Sequence, residues 1–290
     1  MAIYVAHNAQ VVVQGITGNQ GSFHTRQMLS FGTNIVAGVS PGKGGQQVEG
    51  IPVYDTVAAA CEQHQIDATA IYIPAPFALD AVVEAVDAGI KVIGCITEHI
   101  PLHDEIRLVD YARRQGAVVV GPNTFGIVTS RGCKIGVAPN HVFKDGPVGV
   151  ISRSGTLTYE IVGSLLAQGI GTSTVVGLGG DRVTGLNFLD VLREFNQDDQ
   201  TKAIIMIGEI GGTSEEEAAE YIRENPVKPV IAYLAGKSAP PGKRMGHAGA
   251  IIERGRGTFA NKVKALEAAN VQVAELLFEV PDLVKKCLIS

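Results

Sequence analysis

Short runs of β-branched residues alternate with longer amphipathic stretches along most of the chain. In the first half the apolar runs predict strands at 11–13, 35–39, 70–73, 91–93 and 117–120. The stretches between them predict helices at 22–31, 56–64, 78–88 and 104–115. Strands that are apolar on both faces and alternate with helices are typical of a doubly wound parallel sheet with right-handed βαβ connections.

The same alternation restarts in the second half of the chain. It predicts strands at 148–151, 174–177, 203–207, 230–233 and 271–273, and helices near 156–168, 186–195, 214–224, 258–269 and 281–288. For the helix near 214, Ser214 and Glu217 have the spacing of a capping box. Residues 122–146 hold Gly, Pro, Asn and Lys in irregular order. We therefore predict two α/β domains, 1–122 and 147–290, joined by a linker over 123–146.

Composition narrows the function classes. Hydrophobic residues make up 46% of the 290, enough for a sizeable core in each domain and too many for a disordered chain. The net charge of −5 argues against a chain-wide role in binding nucleic acid, and the absence of Trp argues against a stacking platform for single strands.

The spacing of the cysteines and the length of the apolar runs indicate in which cellular compartment the protein works. The four cysteines lie far apart with no C-x-x-C spacing. This spacing argues against a zinc site, a redox-active dithiol and a disulfide framework. The first residues lack a basic region followed by an apolar one, and no apolar run is long enough to span a bilayer. We expect a soluble protein of the reducing cytoplasm that does not bind membranes.

A first candidate ligand site follows the first predicted strand. Gly15–Gly21 has the spacing G-x-x-G-x-x-G and leads into a helix whose N–H groups favour a phosphate. A tight turn that merely needs glycine dihedrals remains an alternative, because dinucleotide folds use G-x-G-x-x-G. The second strand ends without the acid expected at an NAD ribose, and Lys43 follows in a glycine-rich turn. That cation favours a phosphorylated ribose or a pyrophosphate, such as that of coenzyme A, over NAD.

Further candidates follow later strands, where α/β sheets bind ligands. Ile96–Glu98 follows the fourth strand. His99 and His103 stand four apart, but Pro101 between them makes a regular helix, and hence a shared metal, improbable. Ser154 fits an N-cap with Gly155 beside it, which suits an anion but equally suits a capped helix without a ligand.

The least regular stretch runs from Gly236 to Gly257. It holds several glycines and five Lys or Arg with a single acid, which is typical of an anion site. His247 lies in its middle between Gly246 and Ala248. A neutral imidazole can act as a nucleophile, although a lone loop histidine is usually only a surface residue. Glu209, in a glycine-rich segment after another strand, is by itself equally consistent with a solvated loop carboxylate.

These motifs, in this order, resemble the family of succinyl-CoA synthetase α subunits, which are succinate–CoA ligases of the tricarboxylic acid cycle. The resemblance covers essentially the whole chain. Its most specific pieces are Gly15–Gly21, Thr33–Gly45, Ser152–Glu160, Ile207–Gly212 and Gly242–Ala250.

The resemblance implies a Rossmann-like CoA-binding domain followed by a flavodoxin-like ligase domain. It implies that His247 becomes a phosphohistidine and that Glu209 orients it. CoA would contact Thr17, Gly18, Asn19, Gln20 and Lys43, with Ile96, Thr97 and Glu98 near its other end. The phosphoryl group and a small dicarboxylic acid would meet Ser154, Gly155, Tyr159, Asn123 and Thr124.

The resemblance also implies a partner. The sequence contains no G-x-x-x-x-G-K-[ST] phosphate loop. The nucleotide site should therefore lie on another chain. The resemblance implies that this other chain is an ATP-grasp β subunit, which would bind ATP or GTP with Mg²⁺ in a heterodimer or heterotetramer.

The chain departs from the family pattern at two places. Where the family usually reads Gly-Pro-Asn-Cys-Pro-Gly, this chain has Thr124 and Phe125 in place of Cys and Pro, and Arg182 follows Asp181 where Pro is common. Malate– and citrate–CoA ligases share the framework and stay open. Two other classes also stay open, an NAD(P)-dependent oxidoreductase and a non-enzymatic CoA-sensing module.

Overall fold

The computed structural model describes residues 3–289 and divides the chain into two compact units. One unit comprises residues 4–140 and 183–186. The other comprises residue 3, residues 141–182 and residues 187–289. We call them the N-terminal unit and the C-terminal unit.

The N-terminal unit is built on a sheet of mainly parallel strands. Its strands are β1 (Gln10–Gln14), β2 (Asn34–Val39), β3 (Gln47–Val48), β4 (Ile51–Tyr54), β5 (Ala68–Ile71), β6 (Val92–Cys95) and β7 (Val118–Val120). They lie in the order β3-β4-β2-β1-β5-β6-β7, and only the short β3 runs antiparallel to its neighbour. Without β3, this is the strand order of a Rossmann-like sheet.

Four helices follow strands of this sheet: α1 (Asn19–Phe31), α2 (Val57–Gln63), α3 (Ala78–Asp87) and α4 (Leu102–Arg114). The core between sheet and helices is made of small and branched residues. Val12, Ile71, Val82, Ile93 and Leu108 are fully buried in it. Burial of both faces of β1 and β5 explains why their sequences read as continuous apolar runs.

The C-terminal unit contains a second parallel sheet. Its strands are β10 (Asp145–Ser152), β11 (Thr172–Gly177), β12 (Ala203–Glu209), β13 (Val230–Ala235) and β14 (Gln272–Ala274), which lie in the order β14-β13-β12-β10-β11. Its helices are α5 (Gly155–Ala167), α6 (Phe188–Gln197), α7 (Ser214–Glu224), α8 (Phe259–Ala268) and α9 (Val280–Ile289). This strand order is that of flavodoxin-like folds. The predicted fold class is therefore confirmed.

The structure differs from the sequence prediction over 123–146. Residues Gly126–Thr129 form β8 and Cys133–Gly136 form β9, an antiparallel pair that belongs to the N-terminal unit. Its residues are buried, and β9 packs on α1. Gly132 lies in the turn of this hairpin, and Gly126 and Gly136 pair with each other across its two strands, whereas the sequence pattern predicts a linker.

The capping prediction for α7 is wrong. The helix begins at Ser214 itself, its N-cap is Thr213, and no side chain caps it. Ser214 Oγ instead donates to Glu215 Oε2 at 3.2 Å, and Thr213 Oγ1 donates to Glu217. A true capping box is present at α6, where Asn187 and Asp190 bond each other's backbone N–H groups.

The described residues contain neither a membrane-spanning helix nor a disulfide. Across residues 3–289, no helix combines the length and apolar character needed to cross a membrane. No disulfide joins the four cysteines, all of which lie within that range.

Candidate functional site

His247 lies in an irregular loop that is nevertheless anchored. The loop follows β13, and backbone bonds fold it back on itself, with Met245 N donating to Ala250 O and Ala250 N to His247 O. Ala250 and Ile252 are buried against Ile210, which follows β12. We call residues 236–257 the histidine loop.

Glu209 is in direct contact with His247. It ends β12, its residue is only 6% exposed, and its Oε2 lies 2.8 Å from His247 Nδ1. A carboxylate accepts hydrogen bonds, so Nδ1 carries the hydrogen in this pair. In the neutral ring, Nε2 then keeps the lone pair. The His247 side chain is 31% exposed, so it is not sealed in the core. The arrangement is that of an oriented nitrogen nucleophile.

A guanidinium holds the other oxygen of Glu209. Arg153 Nε lies 3.2 Å from Glu209 Oε1, and Arg153 Nη2 donates to the backbone oxygen of Asp181 at 3.0 Å. The Nε–Oε1 contact has the distance of an ion pair but lacks the angle of a hydrogen bond. The guanidinium beside Oε1 and the imidazole beside Oε2 together fix the orientation of the Glu209 carboxylate.

The pKa of His247 is raised above its ordinary value. The hydrogen bond to Glu209 is the largest cause, and the charges of Glu209 and Asp181 act in the same direction. Burial and the charge of Arg153 oppose the rise. The site therefore stabilises an imidazolium, which is the charge that develops when Nε2 forms a bond to an electrophile.

Gly180 makes room for the imidazole ring. A Cβ at this position, just after β11, would lie 2.5 Å from His247 Cγ and Cδ2. Gly180 O also accepts from Gly249 N in the histidine loop. Neither Arg153 nor Gly180 was predicted as a site residue from the sequence. The available signals were a cation directly after one buried strand and a glycine three residues after another.

Arg182 also contacts the histidine loop, at one of the positions where the chain departs from the family pattern. Its Nε donates to Ala248 O at 3.3 Å, and its Nη2 lies 2.8 Å from Glu253 Oε1. Both side chains are about half exposed. Arg182, which follows β11, therefore contacts the histidine loop at two places, one before Gly249 and one after it.

Three of the predicted residues lie at or near the start of α5. Ser154 caps the helix, with Leu157 N donating to Ser154 Oγ at 3.3 Å, so its prediction as an N-cap is confirmed. Gly155 is the first helical residue. Burial raises the pKa of the nearby Tyr159 to about 12, so its hydroxyl stays protonated and can donate. These residues, with His247 and Glu209, belong to the C-terminal unit.

The predicted CoA residues belong to the N-terminal unit. Gly18, Asn19 and Gln20 are exposed at the start of α1, where Gly18 is the N-cap and no side chain caps the helix. Thr17 Oγ1 donates to Ser40 Oγ at 2.9 Å, which links this turn to the end of β2. Lys43 is exposed in the turn that follows β2.

Residues after β6 meet the segment after β7. Thr97 Oγ1 donates to Ile73 O at 2.7 Å, and Asn123 N donates to Thr97 O at 2.9 Å. The structure thus brings the predicted Ile96–Glu98 segment and Asn123 together. Thr124 is 7% exposed, and its Oγ1 accepts from Gly126 N inside the turn. Phe125, next to it, is 6% exposed.

The two histidines spaced four apart lie on different structures. His99 has a positive φ of 64° and precedes α4, which begins at Leu102 and contains His103. Within residues 3–289, no group of three or more His, Cys, Asp or Glu is arranged to hold a metal ion.

Comparison with known families matches both units. A model described as CoA binding domain matches residues 6–99, and a model described as CoA-ligase matches residues 151–272. The solved structure of ATP citrate lyase from Methanothrix soehngenii, in complex with citrate and coenzyme A, is 25% identical with a TM-score of 0.89. That similarity covers 98% of this chain, and the chain spans 50% of that longer polypeptide.

Curated relatives are similar along their whole length. Succinate–CoA ligase [ADP-forming] subunit alpha 2 of Archaeoglobus fulgidus is 56% identical over 99% of this chain and 100% of its own length. The corresponding alpha subunit of Staphylococcus epidermidis is 54% identical over 97% of this chain and 93% of its own. These similarities do not favour an NAD(P)-dependent oxidoreductase. Together with the fold and the two domain matches, they show that the chain belongs to the family of succinate–CoA ligase α subunits.

Proposed function

We propose that this chain is the α subunit of a nucleotide-dependent succinate–CoA ligase and that His247 carries the phosphoryl group between nucleotide and acid. The observation that carries the proposal is the Glu209–His247 hydrogen bond of 2.8 Å. It holds the ring by Nδ1 and directs the reactive lone pair to Nε2. Full-length similarity to α subunits supplies the substrate class.

The chemistry requires a covalent intermediate. A carboxylate is a poor acyl donor, so it must become an acyl phosphate before a thiol can attack it. Nε2 of His247 attacks the γ-phosphorus and the bond to the nucleoside diphosphate breaks. A carboxylate oxygen of the acid then takes the phosphoryl group and frees Nε2. The CoA sulfur, once its proton has left, attacks the acyl carbon and releases inorganic phosphate.

Groups of this chain would stabilise each transfer. Glu209 balances the positive charge that develops on the imidazole while Nε2–P bonds form and break. The start of α5, at Ser154 and Gly155, presents backbone N–H groups to a phosphoryl group. Tyr159 has a protonated hydroxyl that can donate to a carboxylate of the acid.

Coenzyme A is proposed to bind the N-terminal unit at the turn before α1. The exposed N-terminal turn of this helix leaves backbone N–H groups for a phosphate, and no side chain caps them. Lys43 supplies a cation in the neighbouring turn after β2. The segment around Thr97, held by Ile73 and Asn123, is proposed to meet the other end of the molecule.

The nucleotide is proposed to bind a partner. The α-subunit relatives imply a second subunit, and we propose that it is an ATP-grasp β subunit that holds ATP or GTP with Mg²⁺. The absence of a G-x-x-x-x-G-K-[ST] loop from the sequence supports this assignment. The chain alone would then bind CoA but turn over no acid.

His247→Asn is expected to abolish phosphorylation of the chain, because an amide nitrogen is not a nucleophile. The measurement uses the chain with its partner subunit and ATP or GTP labelled at the γ-phosphate. Wild type should acquire one phosphoryl group that is labile in acid and stable in base, as a phosphoramidate is. Label that persists in the His247 variant contradicts the assignment, and His141→Asn serves as the matched control.

Glu209→Gln is expected to slow labelling and to shift its pH profile. Wild-type labelling should fall as the pH drops through the raised pKa of His247, because the protonated ring has no lone pair on Nε2. Loss of the Glu209 charge returns that pKa toward about 6.5, so the fall moves to lower pH. A charged hydrogen bond contributes about 1.5–3 kcal/mol, so the maximal rate should drop about ten- to 150-fold.

The control for this experiment is Glu267→Gln, which neutralises an exposed carboxylate of the C-terminal unit. It should leave both rate and profile unchanged. A Glu209 variant with the wild-type profile contradicts the role given to that carboxylate.

Lys43→Glu is expected to weaken CoA binding to the isolated chain, measured by calorimetry. Reversing the charge beside a CoA phosphate should cost about 1–3 kcal/mol, or about five- to 150-fold in Kd. Lys91→Glu reverses another exposed lysine of the same unit, before β6, and should bind CoA as wild type does. Unchanged affinity in the Lys43 variant removes that residue from the proposed site.

Succinate is expected to lead malate and citrate in kcat/KM when the complex with the partner is assayed against all three. Thr124 and Phe125 favour the alternative of a malate– or citrate–CoA ligase, because they replace Cys and Pro of the family pattern. An apolar wall separates related acids by only about 1–3 kcal/mol, so side activity on short dicarboxylates is expected. A tenfold lead by malate or citrate overturns succinate and leaves the ligase chemistry in place.

A further inference from the structure

A fully buried ion pair joins two helices of the C-terminal unit. The Nζ of Lys262, on α8, lies 2.5 Å from Oε2 of Glu215, on α7, and both side chains are 0% exposed. Glu216 Oε2 lies 2.9 Å from the same ammonium. One buried cation is therefore matched by two carboxylates.

A pair of this kind is a poor source of stability. Taking the charges out of water costs most of what their attraction returns, and apolar residues of similar volume often serve the fold equally well. The other contacts of Glu215 and Lys262 therefore indicate what the pair does.

Both members of the pair bind the backbone next to the candidate site. Glu215 Oε1 accepts from the backbone N–H of Glu209 at 3.1 Å. Lys262 Nζ donates to Gly212 O at 3.2 Å. The segment 209–212 is thus held at both ends by one ion pair.

The same segment contacts the histidine loop. Gly211 N donates to Gly257 O at 2.8 Å. A Cβ on Gly211 would lie 2.1 Å from Gly249 O, so the turn packs against the loop backbone with no room for a side chain. A shift of 209–212 would move both the carboxylate of Glu209 and a surface on which the His247 loop rests.

We propose that Glu215 and Lys262 are positioning residues that hold Glu209 Oε2 at hydrogen-bond distance from His247 Nδ1. The inference rests on the proposed roles of His247 and Glu209. In the described part of the chain, no hydrogen bond or ion pair joins Glu215 or Lys262 to the imidazole. The charges that act on the His247 pKa are those of Glu209, Arg153 and Asp181. The ion pair acts through the Glu209 backbone.

The test replaces the ion pair by apolar residues in the double variant Glu215→Leu/Lys262→Met. This change removes both fully buried charges together. Glu216 also loses Lys262, but its side chain is 23% exposed and can be hydrated, so the fold is expected to survive. The acceptor for Glu209 N–H is lost. The conservative variant Glu215→Gln keeps a carbonyl oxygen as that acceptor. The matched control is Glu220→Gln/Arg223→Gln, which removes an exposed ion pair from α7.

The first readout is the titration of the His247 imidazole, followed by NMR in the chain alone. In the double variant the His247 pKa should fall toward that seen in Glu209→Gln. In Glu215→Gln and in the control it should stay near the wild-type value. A purely structural ion pair would leave this titration unchanged in every variant that folds.

The second readout is labelling with the partner subunit and γ-labelled nucleotide. Misplacement of a reacting group by about 1 Å can cost about 100-fold, so the double variant should label at least about tenfold more slowly, with the pH profile of Glu209→Gln. Glu215→Gln should recover most of the wild-type rate. A folded double variant that titrates and labels as wild type overturns the proposal.

Two further comparisons keep the test decisive. If the double variant does not fold, Glu215→Met gives the same comparison, because Lys262 keeps Glu216 as its partner. The titration needs neither phosphorylation nor partner. A shifted titration in a chain whose wild type takes up no label would therefore reject the proposed function and support the positioning role.

Discussion

The hydrogen bond between Glu209 and His247 is the contact on which the candidate site depends. One carboxylate oxygen orients the imidazole through Nδ1, and the other faces the guanidinium of Arg153. The same bond gives Nε2 its lone pair and raises the pKa of the ring. Orientation and charge stabilisation therefore have one source, and residues that hold Glu209 in place act on both.

The parallel sheets explain where the candidate residues lie. In the C-terminal unit Arg153 and Gly180 follow β10 and β11, and Glu209 ends β12. These strands are neighbours or next neighbours in the sheet and point in the same direction, so their carboxyl ends meet at one edge. The charged side chains of Arg153 and Glu209 are largely buried at this edge, where each lies beside the opposite charge of the other.

Sequence patterns predict most of this molecule, and the exceptions have physical reasons. Strands such as 203–207 are apolar on both faces, which leaves little ambiguity about burial. The hairpin of β8 and β9 escaped prediction because its glycines and polar residues also fit a linker. Ser214 has the spacing of a capping box, but its hydroxyl donates to Glu215 Oε2, the oxygen that also accepts from Lys262 Nζ.

The parts of the site that the sequence does not reveal are contacts between distant segments. Arg153 and Gly180 come close to Glu209 and His247 only because separate strands end at the same edge. A local pattern contains no information on such pairings. The Lys262–Glu215 pair is hidden for the same reason, since 47 positions separate its members and a lysine is more often exposed.

The short segment 183–186 belongs to the N-terminal unit although both flanking segments belong to the other. Gly185 N donates to Gly121 O, and this hydrogen bond joins two residues that are far apart in the chain. During synthesis on the ribosome, the N-terminal unit therefore stays incomplete until more than forty residues of its neighbour have emerged. A truncated chain that contains the whole N-terminal unit must therefore also carry residues 141–182 of its neighbour.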